Sequence, residues 1–334
     1  MSALRLDKRG SGLLLEYRKV RLAFDTGVPE VTTLLSHAHT DHTTNLFSAR
    51  DFVATAETQD ALLARNEASL LQATTIEWGR DLDLDGVRVT ALNAGHVIGS
   101  AMFLLEFDDG LKVLYTGDYN VVDSVVHHAA EPAAADVLVT EATYGSPEWV
   151  FPERAKVHSM ILEAARRELD RGMIPLFKAY SLGKAQEAIA VLEEGGFEVL
   201  TGNRVIDEVS KVYASHGTRL TYTPIERARQ AGVLERDYAI VSSSVSNTFA
   251  SLARILGEQT ANEIRNMTSS FNLSGWALRE LNNSGFPLSA HSDFPGLMDF
   301  VQAVNPRIVY CFAGNARRFC GELAHAGVSA VPLE

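Results

Sequence analysis

The chain has 334 residues, of which 46% are hydrophobic, and its 42 acidic against 30 basic side chains give a formal net charge of −12. That length supports one large core or two moderate ones, and no apolar run is long enough to span a bilayer. The acidic balance excludes a surface given over wholly to phosphate binding, which needs clustered Lys and Arg, although bound metal ions would add local positive charge that the count omits.

The opening residues, Met1 to Arg9, lack the apolar stretch of a secretory signal. The expected location is therefore cytoplasmic, with Cys311 and Cys320 reduced, while a disulfide or a pair on one helix face stays open from sequence. Gly12 to Tyr17 and Val20 to Phe24 read as paired strands, followed by Asp25-Thr26-Gly27, which taken alone is an ordinary turn. The apolar run Val31 to Leu35 then leads into Ser36-His37-Ala38-His39-Thr40-Asp41-His42. Three histidines and an aspartate within six residues, on the loop after a strand, predict a metal site, because borderline and hard divalent ions take imidazole and carboxylate donors. Glu57 to Leu71 has helical periodicity.

Val87 to Leu92 is strand-like and ends in Asn93-Ala94-Gly95-His96. A hairpin follows, with strands at Ala101 to Phe107 and Leu111 to Tyr115, and it ends in Thr116-Gly117-Asp118. The strand Val137 to Thr140 runs into Glu141. Strand after strand thus finishes on His, Asp or Glu, which is how side chains from distant segments gather at one sheet edge. From about Pro152 helices and strands alternate: a helix over Glu153 to Arg171, a strand over Ile174 to Phe177, a helix over Lys184 to Glu194, and strands at Phe197 to Leu200, Tyr238 to Ser242 and Glu263 to Met267. Ser289-Ala290-His291-Ser292-Asp293, a helix from Pro295 and the strand Arg307 to Phe312 complete the pattern.

In this order the motifs resemble those of the metallo-β-lactamase fold nucleases of the β-CASP group, across nearly the whole chain. Asp25, His37-x-His39-x-Asp41-His42, His96 in Ala-Gly-His-Val-Ile-Gly-Ser and Asp118 in Tyr-Thr-Gly-Asp match the four core motifs. Glu141 in Thr-Glu-Ala-Thr-Tyr-Gly and His291 in Ser-Ala-His-Ser-Asp match two more. The resemblance implies an αββα sandwich in two parts, 1–151 and 285–334, with an inserted α/β β-CASP domain at 152–284. One departure is clear: RNA-processing members carry a His before the Gly after the last strand, and here Ala313 precedes Gly314. The phrases Ala-Tyr-Ser-Leu-Gly-Lys-Ala-Gln-Glu, Ser-Gly-Trp-Ala-Leu and Phe-Pro-Gly-Leu look most like the prokaryotic ligase-associated DNA exonuclease branch.

Carried over residue by residue, the resemblance assigns His37, His39 and His96 to a first zinc ion, Asp118 to a bridge, and Asp41 with His42 to a second. Lacking a ligand at Ala313, the second site is expected to bind more weakly, with manganese or magnesium as alternatives there. Asp41, Glu141 and His291 are the catalytic candidates, His291 as general acid with Glu141 accepting from its other ring nitrogen, and Asp25 orients a ligand histidine. Ser181, Lys184 and Ser289 are candidates for gripping a substrate phosphate, against the equal alternative of ordinary helix capping. His127, His128, His158, His216 and His325 have no motif context. The expected activity is a DNA 5′-exonuclease on single-stranded or frayed ends, with DNA ligase or repair proteins as partners and no membrane involvement. The alternatives are an RNA-processing ribonuclease, with RNA as partner, or a catalytically silent nucleic-acid-binding protein.

Overall fold

The first strands form an antiparallel ribbon, β1 (Arg5–Arg9), β2 (Gly12–Tyr17) and β3 (Val20–Phe24), in the computed structural model, which describes residues 4–43, 45–65, 73–279 and 285–333. Parallel pairing then adds β4 (Thr32–Leu34), β5 (Asp51–Ala54) and, after helix α1 (Ala56–Ala64), β6 (Ala73–Thr75), in the spatial order β1-β2-β3-β4-β5-β6. A second sheet begins with β7 (Asp81–Leu84), β8 (Val87–Asn93), β9 (Ala101–Phe107), β10 (Lys112–Tyr115) and β11 (Val137–Glu141). In β8, Val87, Val89 and Ala91 are buried while Arg88 is exposed, the alternation that a strand with one covered face requires.

The helix expected over Glu57 to Leu71 is found as α1, and residues 66–71 of that expectation lie outside the described residues. The chain next forms a separate α/β unit: α2 (Arg154–Asp170), β12 (Ile174–Lys178), α3 (Lys184–Glu194), β13 (Glu198–Thr201), α4 (Arg204–Ser215), β14 (Thr223–Pro224), β15 (Tyr238–Ser242), α5 (Val245–Leu256), α6 (Glu258–Asn266), β16 (Thr268–Leu273) and β17 (Gly285–Phe286). Its six strands are all parallel, in the order β14-β13-β15-β12-β16-β17. The strand expected over Glu263 to Met267 is instead the end of α6, which buries Ala261 and Ile264 three residues apart on one helical face. The strand of that region is β16, whose sequence Thr-Ser-Ser-Phe-Asn-Leu buries only Phe271 and Leu273.

The chain then returns to the second sheet through α7 (Phe294–Val304), β18 (Ile308–Phe312), α8 (Ala316–His325) and β19 (Ala330–Pro332). The completed order is β19-β18-β11-β10-β9-β8-β7. Compact units follow this path: Met1–Asp123, His127–Val150 and His291–Glu334 form one, and Ser124–Val126 with Phe151–Ala290 form the other.

In the first unit a single core joins the two sheets face to face, with Leu13, Leu15, Leu22 and Phe24 from one and Val89, Phe103, Leu105 and Tyr115 from the other. On the far side of the second sheet, Met102, Leu114, Leu138 and Cys311 pack on Leu297, Phe300 and Val301 of α7 and Phe319 and Leu323 of α8. Cys311 and Cys320 are both buried and free. Among the described residues no helix is long and apolar enough to cross a membrane.

In the second unit, Glu187 of α3 is buried and paired with Arg154 at 2.6 Å and His158 at 2.8 Å. His158, without motif context in the sequence, thus has a structural partner. Burial alone would raise the Glu187 pKa, but the Arg154 guanidinium and the His158 hydrogen bond outweigh burial and hold it at about 2. Because the folded value lies below the ordinary one, this stabilisation is complete above about pH 4.5 and is lost as pH falls towards 2, amounting to about 3 kcal/mol. Glu187→Gln is therefore expected to lower stability at neutral pH and to flatten its acid dependence, measured as the urea midpoint against pH.

Candidate metal centre

Strand direction brings the candidate residues together. β8 and β10 both run antiparallel to β9, and β10, β11 and β18 are mutually parallel, so the C-terminal ends of all four lie at one edge of the second sheet. The parallel pair β3 and β4 likewise ends at one edge of the first sheet. Asp25 follows β3, the Ser36 to His42 loop follows β4, His96 follows β8, Asp118 follows β10, and Glu141 is the last residue of β11. The loop after β4 is fixed to the second sheet where Ala101 N–H donates to the Ser36 carbonyl at 2.9 Å.

Asp25 is fully buried and sits in the left-handed region at φ +53, uncommon for a residue with a side chain. Its Oδ1 accepts from Ser36 N–H at 2.6 Å, and its Oδ2 accepts from Ser36 Oγ at 2.7 Å, Tyr115 OH at 2.7 Å and His42 Nδ1 at 2.8 Å. Burial, followed by the Asp25 charge, pushes the Tyr115 hydroxyl well above its ordinary pKa, so Tyr115 keeps the proton it donates.

The Ser36 hydroxyl has one proton, and it goes to Asp25. Ser36 Oγ must then accept from His37 Nδ1, 2.9 Å away, which leaves the lone pair on His37 Nε2. Burial, reinforced by the His42 charge, holds His37 well below its usual pKa, so the ring is neutral, as a ligand must be. His42 spends Nδ1–H on Asp25 and turns Nε2 towards Asp118, so the proton that a cation would displace is the one on Nε2. One carboxylate thereby sets the tautomers of two histidines.

The atoms so presented converge. His39 Nδ1 lies 3.0 Å from His37 Nε2 and 3.1 Å from His96 Nε2. Asp118 Oδ2 lies 3.7 Å from His37 Nε2 and 3.8 Å from His96 Nε2. Ligands at zinc-like distances in tetrahedral array stand roughly 3.3 Å apart, so these four donors fit one four-coordinate cation. Asp118 Oδ2 is also 3.2 Å from His42 Nε2, which in turn is 3.8 Å from Asp41 Oδ2, so a second set of donors shares the Asp118 carboxylate. Burial disfavours charge on both Asp118 and His42, but their mutual attraction wins. It holds Asp118 well below and His42, aided by Asp25, well above their ordinary values. Gly117, at φ +54, permits this approach, since a Cβ there would stand 2.6 Å from Ser36 Cβ.

A third group adjoins the donor cluster. His291 Nδ1 lies 3.0 and 3.1 Å from the two oxygens of buried Glu141 and 4.0 Å from Asp118 Oδ2. Glu141 also accepts from Tyr119 N–H at 2.9 Å and from the Thr143 hydroxyl. His291 is held in place by Ser292 N–H donating to the Tyr119 carbonyl at 2.9 Å, and Asp293 caps α7 by accepting from Gly296 N–H at 3.0 Å.

Asp25, His37, His39, His42, His96, Asp118, Glu141 and His291 therefore meet, while Asp41 stands at the rim with its side chain 73% exposed. Ser181, Lys184 and Ser289 belong to the second unit: Lys184 Nζ lies 4.5 Å over the Tyr180 ring, and Ser289 is buried. Ser36, Tyr115 and Thr143 were not singled out in sequence. Ser36 could have been, since it directly precedes the His motif, whereas Tyr115 looks like any residue of an apolar strand.

A family model described as a beta-lactamase superfamily domain matches residues 14–175. The chain is 31% identical over 316 residues to a probable DNA ligase of Opitutus terrae, covering 92% of this chain and 29% of that protein. It is 35% identical over 151 residues to cleavage and polyadenylation specificity factor 73 of Drosophila melanogaster, 45% of this chain and 21% of that one. It is also 34% identical over 167 residues to the transcription termination factor FttA of Methanothermobacter thermautotrophicus, 48% and 26%. The chain thus spans less than a third of the length of these relatives.

Asp25→Asn would remove the charge and one of the two acceptor oxygens that fix His42 directly and His37 through Ser36, and is expected to weaken divalent-metal binding by about 10- to 100-fold in a competition titration against a chelating dye. A cation must also displace the proton that Asp118 and Asp25 hold on His42, so affinity is expected to fall as pH is lowered, with the decline setting in above the ordinary imidazole range, in the same titration.

Proposed function

Because the chain belongs to the β-lactamase superfamily and, within it, to the β-CASP group of metallo-β-lactamase fold proteins, we propose that it is a metal-dependent nuclease acting on DNA from the 5′ end, at single-stranded or frayed termini. The observation that carries this reading is the Glu141–His291 pair standing beside a cluster of metal donors that all reach Asp118. In the proposal His37, His39, His96 and Asp118 hold one zinc ion, and Asp41, His42 and Asp118 hold a second cation, zinc or else manganese or magnesium. Such ions supply Lewis acidity towards a phosphoryl oxygen.

The chain's own groups do the rest. His291 engages Glu141 through Nδ1, which leaves Nε2 to carry a proton to the leaving 3′-oxygen. Glu141 is oriented by Tyr119 and Thr143 and fixes the ring plane of His291. Asp25 and Ser36 keep His37 and His42 in their ligand tautomers. Segment 152–284 is the proposed β-CASP insertion between 1–151 and 285–334, with Ser181, Lys184 and Ser289 as candidate phosphate contacts and the cytoplasm as the place of action.

Match over nearly the whole chain to a protein named a probable DNA ligase supports DNA as substrate and DNA-end repair proteins as partners. Likeness of about half the chain to cleavage and polyadenylation specificity factor 73 and FttA keeps RNA as the second reading. Labelled single-stranded DNA and RNA, each with and without a 5′-phosphate, decide between them: DNA shortened from the 5′ end is expected, and RNA cleaved with DNA untouched would move the substrate to RNA. No cleavage of either with zinc or manganese would overturn the nuclease reading.

His291→Ala is expected to lower turnover by about 10²- to 10⁴-fold without loss of bound metal. The second set of donors lacks a ligand at Ala313, so metal titration should resolve one tight and one weaker ion; two equally tight ions would contradict the assignment.

A further inference from the structure

We propose that a cavity of about 420 Å³ in the metal-bearing unit, lined by Lys8, Arg317 and Arg318 together with Ala313, Gly314 and Asn315, binds backbone phosphates of the nucleic-acid strand, an inference that rests on the nuclease reading above. The charge balance points to it. Acidic residues exceed basic ones by 42 to 30 over the chain, yet among the described residues this cavity is lined by three cations and by no acidic side chain. Lys8 comes from β1 and the two arginines from the first turn of α8, so the fold gathers them from opposite ends of the chain. All three are exposed.

Arg318 is paired with Glu322 at 2.9 Å on the open surface of α8, and an exposed i,i+4 pair is worth only a few tenths of a kcal/mol, so a phosphate can recruit that guanidinium cheaply. Two guanidinium forks and an ammonium suit phosphate oxygens better than a single carboxylate.

The cavity is also joined to the reaction centre. Glu141 pairs in register with Phe312 on the neighbouring strand, and Ala313 follows directly. Asn315 N–H donates to the Ala142 carbonyl at 2.8 Å, and Asn315 Nδ2 donates to the Thr143 carbonyl at 2.8 Å. Gly314, at φ +48, lies so close that a Cβ would stand 2.4 Å from Thr143 Cα. The wall of the cavity is therefore pinned to the same short segment, Glu141 to Thr143, that orients His291. Phosphates held there would extend along the strand from the bond being cleaved.

The test compares Lys8→Ala/Arg317→Ala/Arg318→Ala with its parent. Oligonucleotide binding is read by fluorescence anisotropy over a salt series in a His291→Ala background, tripolyphosphate binding by calorimetry, and turnover of bis(p-nitrophenyl) phosphate in the wild-type background. The triple variant is expected to bind single-stranded DNA about 10-fold more weakly, with the salt slope shallower by about 2, as loss of three phosphate contacts implies. It should also lose tripolyphosphate and keep the small-substrate turnover of the parent. Equal affinities and slopes in both proteins, including binding by neither, would overturn the proposal. Loss of tripolyphosphate with DNA binding unchanged would overturn the strand assignment, identifying a site for free polyphosphate. If the parent cleaves no nucleic acid but binds tripolyphosphate and the variant does not, the anion cavity stands and the nuclease reading falls.

Discussion

The buried carboxylate of Asp25 is the constraint on which the metal centre depends. A charge withdrawn from water is tolerated only where hydrogen-bond donors replace the lost hydration. Asp25 collects four, from the Ser36 backbone, the Ser36 hydroxyl, Tyr115 and His42. These donors come from β10 and from two points of the loop after β4, so satisfying the charge also brings the edges of the two sheets into register. The same contacts leave no freedom in where the ring protons of His37 and His42 reside. Fold and ligand chemistry are thus settled by one residue that touches no metal donor position itself.

Around that anchor the remaining charges form a chain of compensation. Asp118 faces His42 at 3.2 Å and lies within 4.0 Å of His37, His96 and His291. Glu141 faces His291, with Tyr119 and Thr143 filling its other acceptor sites. No carboxylate of this group is left to burial alone. Because Tyr119 donates its N–H to the Glu141 carboxylate and accepts from Ser292 at its carbonyl, the ring of His291 is positioned by the same hydrogen bonds that seat the start of α7.

Much of this was legible in the sequence, and the parts that were not have physical reasons. The strands Gly12–Tyr17 and Val20–Phe24 were read to the residue because their leucines and valines alternate or run unbroken between turns. β1 escaped notice because an edge strand reading Arg-Leu-Asp-Lys-Arg carries almost no apolar signal, and β16 escaped because Thr-Ser-Ser-Phe-Asn-Leu buries only its Phe and Leu. The error at Glu263 to Met267 has the same root: with β16 hidden, the preceding Ile and Met were the only apolar residues left to assign to a strand. His37, His39 and His42 were visible as candidate ligands because they are compressed into one loop, and His96 through its place at a strand end. Tyr115 was not, since its hydroxyl matters only through a contact made across 90 residues of chain.

The distribution of donors also explains why the two halves of the centre need not be equivalent. His37, His39 and His96 are preset: one ring is neutralised by burial, and the ring nitrogens stand 3.0 to 3.1 Å apart before any cation is considered. The other half is poised differently. His42 is held charged between Asp25 and Asp118, Asp41 reaches into solvent, and at Ala313 the backbone turns through φ +59 with only a methyl group to offer. The proposed second cation would first have to displace a proton that two carboxylates favour, and then order an exposed side chain, with no imidazole from the last strand to offset either cost. In the proposed two-ion assignment the asymmetry would rest on hydrogen bonds and exposure as well as on the missing ligand.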